Sequence, residues 1–311
     1  VLFPGGDAEA HFISLHHEAL ARVFRLTTPA WKTLQWALDK TRTYELAAKI
    51  GVDCPWTLRP RSRRDLEDVD FRFPVILKPS GAWNSASPFT RAKAWRIDDR
   101  ATLLARYEEA AASVGSGSVL LQELIPGNGM AQFSFAAVCE GGVPLVYLTA
   151  RRSRQYPIDF GFTSTFVESI DKPEVEEAAR RFLKAIEYTG LVELEFKYDQ
   201  RDGRHKLLDV NARTWTWVAL GGKAGVDFPR AMWKLALGGP VENTRGRVGC
   251  AWAHVSRDLA AAFAEMRAGS LTLAEYWRSF KASLVFAAFS KDDPAPGLLD
   301  LPLTLLRIWR R

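Results

Sequence analysis

Cysteine is scarce in this chain, and its three copies, Cys54, Cys139 and Cys250, are scattered and odd in number. Such a set implies neither a disulfide framework nor a zinc site, so a reducing compartment, the cytoplasm, is the expected location. No apolar run reaches the ~18 residues of a membrane span, and no secretory signal is visible. Internal repeats, low-complexity tracts and long blocks of like charge are lacking, which sets aside solenoids and disordered tails. The arginines are dispersed without a basic–aromatic motif, so the formal net charge of +6 gives no support to a nucleic-acid partner. An anionic small ligand, a membrane surface or simple arginine richness would each account for it.

What is present is a chain of 311 residues, 47% hydrophobic and 25% charged. That is a globular composition with room for two or three domains. Val1 has no methionine before it and begins what reads as a short buried strand, so residues 1–27 are expected to be the remnant of a preceding α/β domain. Helices are expected over 12–24, then from Thr28-Pro29 to Lys40 with a capping residue before proline, then on to Ile50 with Gly51 as a C-terminal stop.

The most informative stretch is 191–213, LVELEFKYDQRDGRHKLLDVNAR. Side chains alternate faces along a strand. Glu193, Glu195 and Lys197 therefore share one face and Leu194, Phe196 and Tyr198 the other. In the second half Asp209, Asn211 and Arg213 oppose Leu208, Val210 and Ala212. The turn formers between predict a β-hairpin, and in simple register Glu195 lies across from Asp209. Like charges so placed destabilise a sheet unless neutralised. A hard divalent cation would do so, with the Asn211 amide oxygen beside it. The alternative is an exposed hairpin with a solvated charged face. Arg213, next to this set, suits charge developing on a phosphoryl group.

Two other strands carry candidate groups. In 73–79 a continuous apolar run ends in Lys78-Pro79, delivering a cation whose burial calls for an anionic partner such as phosphate. The small polar loop at 80–90 could wrap phosphates with its backbone N–H groups, and 92–97 reads as the return strand. In 119–127, Gln122, Glu123 and Ile125 precede a Pro-Gly turn. A hairpin follows about Gly141-Gly142. The cluster Arg151-Arg152-Ser153-Arg154 beside a glycine- and hydroxyl-rich loop at 160–165 suits an anionic substrate, although surface arginines commonly play no chemical role. Trp215 and Trp217 line a pocket or pack the core, core being the commoner fate.

In order, Lys78, the Gln-Glu-x-Ile-Pro-Gly stretch, Glu195 and Asp209-x-Asn211-x-Arg213 resemble the landmarks of the ATP-grasp superfamily, in its carboxylate–amine ligase branch near the D-aspartate ligases. The resemblance spans about residues 40–237. It departs from the usual pattern at Asp209, where Glu is common, and at Ala212, where Pro is. It implies an α+β fold in which two α+β subdomains clasp a nucleotide: a core over 28–240, with a lid at about 70–125, and a mostly helical C-terminal extension over 241–311. ATP would be bound with magnesium, or manganese in its place. Glu195, Asp209 and Asn211 would hold the metal, and Lys78 and Lys40 the phosphates. The Glu123 and Ile125 backbone would read adenine, with Gln122 or Gln132 nearby, while residues 128–130 lack the usual ribose acid. Arg213 and Arg152 would steady the transferring group. The implied activity is an ADP-forming ligation through an acyl phosphate, with small carboxylate and amine substrates; a non-catalytic ATP-binding or scaffold protein of the same fold is the alternative. The segment 298–311, apolar with a basic tryptophan-bearing end, would lie on a membrane interface or dock on its own domain.

Overall fold

The computed structural model describes residues 1–80, 88–91, 94–127, 129–156 and 163–309. In chain order, α1 (Asp7–Leu15), α2 (His17–Ala21), α3 (Trp31–Leu38) and α4 (Lys40–Lys49) lead into β1 (Thr57–Leu58) and α5 (Arg64–Glu67). Next come β2 (Val75–Pro79), α6 (Pro88–Arg91), β3 (Trp95–Ile97), α7 (Arg100–Val114) and β4 (Val119–Glu123). The long strands β5 (Gln132–Glu140), β6 (Val143–Tyr156) and β7 (Thr163–Ile170) precede α8 (Pro173–Ala185), β8 (Gly190–Asp199) and β9 (Arg204–Asn211). The chain continues through α9 (Ala219–Ala224), α10 (Phe228–Ala236), β10 (Thr244–Arg245), β11 (Cys250–Ala253), α11 (Val255–Arg267), α12 (Leu273–Ser279), β12 (Ser283–Phe286) and α13 (Ala295–Trp309).

Two sheets organise these elements. The smaller runs β1-β4-β2-β3, with every pairing antiparallel. Its hydrophobic core joins Val75, Leu77, Val119 and Leu121 to Leu103 and Tyr107 of α7. The larger runs β12-β11-β7-β6-β5-β8-β9, with β10 alongside β6. Alternation along β5 sends Phe135, Ala137 and Cys139 into one core, against α3, α4 and α8. Ala136 and Val138 enter a second core with Trp215, Trp217 and Phe228. The large sheet is thus covered on both faces, which explains why its central strands read as near-continuous apolar runs. Among the described residues, no helix is long and apolar enough to cross a membrane.

Several boundaries differ from expectation, each for a local reason. Residues 1–4 form only an isolated bridge, Leu2 to Leu26, rather than a strand. The helix expected over 12–24 is two, broken at His16, and Thr28 does not cap α3, whose N-cap is Ala30 without a side-chain bond. Asp39 breaks the next expected continuous helix and caps α4 by accepting from Thr41 N (3.0 Å), which sets Lys40 in the first helical turn. The stretch beyond 240 is mostly helical, yet β11 pairs with β7 and β12 with β11. That stretch therefore completes the large sheet instead of standing apart from it. Helix α13 contacts α11 through Asp300, which accepts from Ser256 (2.5 Å), and leaves Leu298, Leu301 and Leu306 exposed. Most of the expected polar loop (81–87), part of the return strand (92–93), Asn128 and residues 157–162 lie outside the described residues, and the described part of the loop expected at 160–165, Thr163 to Thr165, is the start of β7 instead.

Candidate active site

The acidic hairpin forms with Glu195 directly opposite Asp209 and Glu193 opposite Asn211. The register shifts between Glu195 and Phe196, so that Phe196 pairs with Leu207 and Leu208 is the extra residue. A bulge of this kind re-aims a side chain. Leu207 enters the core, whereas Leu208, expected there by simple alternation, lines the cleft between the two sheets. Beyond the bulge, Val210 and Ala212 return to the core as expected.

Asn211 Nδ2 donates to Glu195 Oε1 (3.0 Å) and to Glu193 Oε2 (3.3 Å), while its Oδ1 accepts from Arg213 Nη2 (3.0 Å). Arg213 is held in turn by Asp7 (Nε to Oδ1, 2.9 Å) at the start of α1. Ser134 on β5 donates to Glu193 at 2.8 Å. Burial, and after it the neighbouring Glu195 charge, push the Glu193 carboxyl up to about 7, against the opposing pull of Arg152.

Four cations surround the carboxylates. Lys40 ion-pairs with Asp209, and Arg152 with Glu195 at 2.5 Å. Arg152 is almost fully buried and also donates to Ser164 Oγ (2.7 Å). Lys78, at the end of β2, donates to the Tyr44 hydroxyl (2.8 Å), which donates to the Leu208 carbonyl (2.7 Å). Burial, followed by repulsion from Lys40, lowers the Lys78 ammonium to about 7 despite the pull of Asp209 and Glu195. Burial works against ionisation of Asp209, but Lys40 and Lys78 outweigh it and hold the carboxyl below its ordinary value.

These groups converge on a cleft of about 400 Å³ that is walled by both sheets. It holds Lys40, Lys78, Gln122, Arg152, Glu195, Asp209, Asn211 and Arg213. A second cleft, of about 630 Å³, runs along Glu123, Leu124 and Ile125 and shares Ile76, Gln122, Gln132 and Leu208 with the first. The residues expected to meet metal, phosphates and base thus line one continuous depression together with Arg152 and Arg213, whereas Arg151 and Ser153 bond Glu168 and Arg154 bonds Asp258. The Glu123 carboxylate is already engaged, by Arg201 (2.7 Å), Lys206 (2.9 Å) and Trp56 N (3.0 Å). Gln122 is likewise committed, donating to Thr57 Oγ1 at 2.7 Å. Gln132 Oε1 and the Trp215 indole N–H, by contrast, are buried without a partner in residues lining the depression.

The donor set fits a magnesium ion that keeps waters and takes phosphate oxygens, since such an ion needs only one or two protein carboxylates. Among the described residues no group of three or more His, Cys, Asp or Glu side chains could hold a metal unaided. Sequence reasoning missed Glu193, Tyr44 and Asp7 as parts of the site. Glu193 shares the parity of Glu195, so its signal was present; Asp7 reaches the cleft, and Tyr44 reaches Lys78, through tertiary packing that no local pattern encodes.

Residues 163–244 match the family described as Carbamoyl-phosphate synthase L chain, ATP binding domain. The D-aspartate ligase of Enterococcus faecium (strain Aus0004) is 27% identical over 225 residues, covering 68% of this chain and 53% of that protein. The chain therefore spans about half the length of that curated relative. The biotin carboxylase domain of Hydrogenobacter thermophilus 2-oxoglutarate carboxylase, solved with MgADP, ADP and bicarbonate, superposes with a TM-score of 0.62 at 18% identity over 78% of this chain and 55% of that one. The L-amino acid ligase of Bacillus licheniformis gives 0.53 at 17% identity over 72% and 53% of the two chains. The architecture is the α+β ATP-grasp fold, like that of biotin carboxylase. The chain is thus similar to ATP-grasp proteins, distantly in sequence to D-aspartate ligase and in fold to L-amino acid ligase.

Proposed function

We propose that the cleft binds ATP with magnesium and that the chain is an ADP-forming ligase, activating a substrate carboxylate for displacement by an amine. The observation that carries the reading is the Glu195–Asp209 pairing at a cleft walled by Lys40, Lys78, Arg152 and Arg213. Paired acids facing several cations suit a metal-bridged polyphosphate better than any uncharged ligand.

Glu195, Asp209 and Asn211 would hold the metal, which when bound neutralises phosphate oxygens and favours phosphoryl transfer. Lys78 would meet the phosphates from the lid sheet, and regain its charge as it does so. Arg213, braced by Asp7, and Arg152, braced by Ser164, would hold the carboxylate and the transferring group in line. The second cleft would take the base, with the Glu123 and Ile125 main chain along one wall and Ile76 and Leu208 excluding water. The similarity to two amino acid ligases favours amino acids as substrates.

ADP release measured across a panel of carboxylates and amines tests the assignment. Substrate-dependent release that Asp209→Asn abolishes is expected. Turnover unchanged in that variant would refute the metal-holding role of Asp209, and ATP binding without release on any pair would favour a non-catalytic nucleotide-binding protein.

A further inference from the structure

Glu195 and Asp209, paired across the hairpin, are each matched to a protein cation, but the two pairs are built differently. Arg152 lies along β6, buried and pinned by Ser164. Lys40 stands at the first turn of α4 with its side chain 23% exposed, opposite an Asp209 side chain that is 37% exposed. Its main chain is tied in place: Asp39 caps the helix, the Lys40 N–H reaches the Ser80 carbonyl (3.4 Å), and Tyr44, one turn on, is bonded to Leu208 of the metal hairpin. The backbone is fixed and the ammonium is at the end of a flexible stem. Lys40 also repels Lys78 across the cleft.

We propose that Lys40 is the resident counter-cation of Asp209, keeping divalent metal off the hairpin until a nucleotide phosphate is present to draw the ammonium away. The gate rests on the proposed metal site at the hairpin. A divalent ion approaching Asp209 alone must displace an ammonium at contact distance and meet the repulsion of two lysines within a partly desolvated cleft. A polyphosphate reverses both terms, because it offers Lys40 and Lys78 other oxyanions and adds its own oxygens to the metal. Metal and nucleotide would then bind with positive coupling. Lys40 is a positioning residue in this scheme, acting through Asp209.

Manganese binding to the whole chain, followed by the electron paramagnetic resonance of the free ion, tests this with and without a non-hydrolysable ATP analogue. Wild type is expected to bind Mn2+ weakly alone and tightly with the analogue. Lys40→Met should bind Mn2+ alone about tenfold more tightly or better, Lys40→Arg should behave as wild type, and adding Asp209→Asn to Lys40→Met should remove the gain. Lys40→Ala, with circular dichroism on each variant, guards against a folding artefact. Equal Mn2+ affinity of wild type and Lys40→Met without nucleotide, with the analogue still tightening both, would overturn the gate and leave the metal site standing. No Mn2+ binding to any variant even with the analogue would overturn both.

Discussion

Lys78 and Tyr44 meet through a 2.8 Å hydrogen bond in which the ammonium donates to the phenol, and the phenol passes a 2.7 Å bond to the Leu208 carbonyl. The smaller sheet, helix α4 and the β8–β9 hairpin are thereby joined at one buried point. Because the Lys78 ammonium is held near 7 by burial and by Lys40, it is largely neutral at pH 8, whereas a bound polyphosphate would restore its charge. Nucleotide binding at pH 8 is therefore expected to take up protons, and affinity should fall as pH rises from 7 to 9. Titration calorimetry in buffers of differing ionisation enthalpy measures the uptake, which Lys78→Met should eliminate. Binding without proton uptake would mean that Lys78 does not face the phosphates.

Glu193 gives a prediction about stability. Its carboxyl rises from 4.5 to about 7 in the folded chain, so between those values the native state binds more protons than the unfolded state. Its favourable contribution is complete below pH 4.5 and is lost as pH rises towards 7. Glu193→Gln keeps an acceptor for Ser134 and cannot ionise. Relative to wild type it should gain thermal stability as pH increases from 5 to 8; a difference that does not change with pH would contradict the buried acid.

Arg154, from the same arginine cluster as Arg152, serves the fold instead of the cleft. It makes a two-point ion pair with Asp258 of α11 (2.9 and 2.8 Å), both side chains buried, and lies over the Phe166 ring at 4.1 Å. Removing one partner of a buried pair leaves an uncompensated charge and costs about 3–5 kcal/mol. Arg154→Met is expected to lower unfolding free energy by about that much and to loosen residues 255–279 in hydrogen exchange. A loss confined to less than about 1 kcal/mol, the range of an exposed pair, would show that Asp258 does not anchor the C-terminal helices.

The contrast between Arg152 and Arg154 shows how far sequence reading reaches. Both sit in one short cationic run on β6, yet Arg152 meets Glu195 while Arg154 meets Asp258, 104 positions away. Nothing in the local pattern separates them. The cross-strand pairing of Glu195 with Asp209 was legible because strand alternation and a short turn leave few registers. The bulge at Leu208 was not, since an inserted residue has no compositional mark. Lys78 was legible as the polar end of an apolar strand, whereas its partner Tyr44 lies on a helix that only tertiary packing brings there. Similarly, β11 and β12 are four-residue strands among helices, too short to show a period. The family landmarks supplied the roles expected of the site; the main chain around it supplied the reasons those side chains converge.

The most direct measurement is calorimetric titration of the intact chain with magnesium and a non-hydrolysable ATP analogue, repeated with Asp209→Asn and Glu195→Gln. One binding event per chain is expected, requiring the metal and weakening by about tenfold or more in each variant. Binding that ignores magnesium and both substitutions, or no binding by the folded wild type, would contradict a metal-bridged nucleotide on this hairpin.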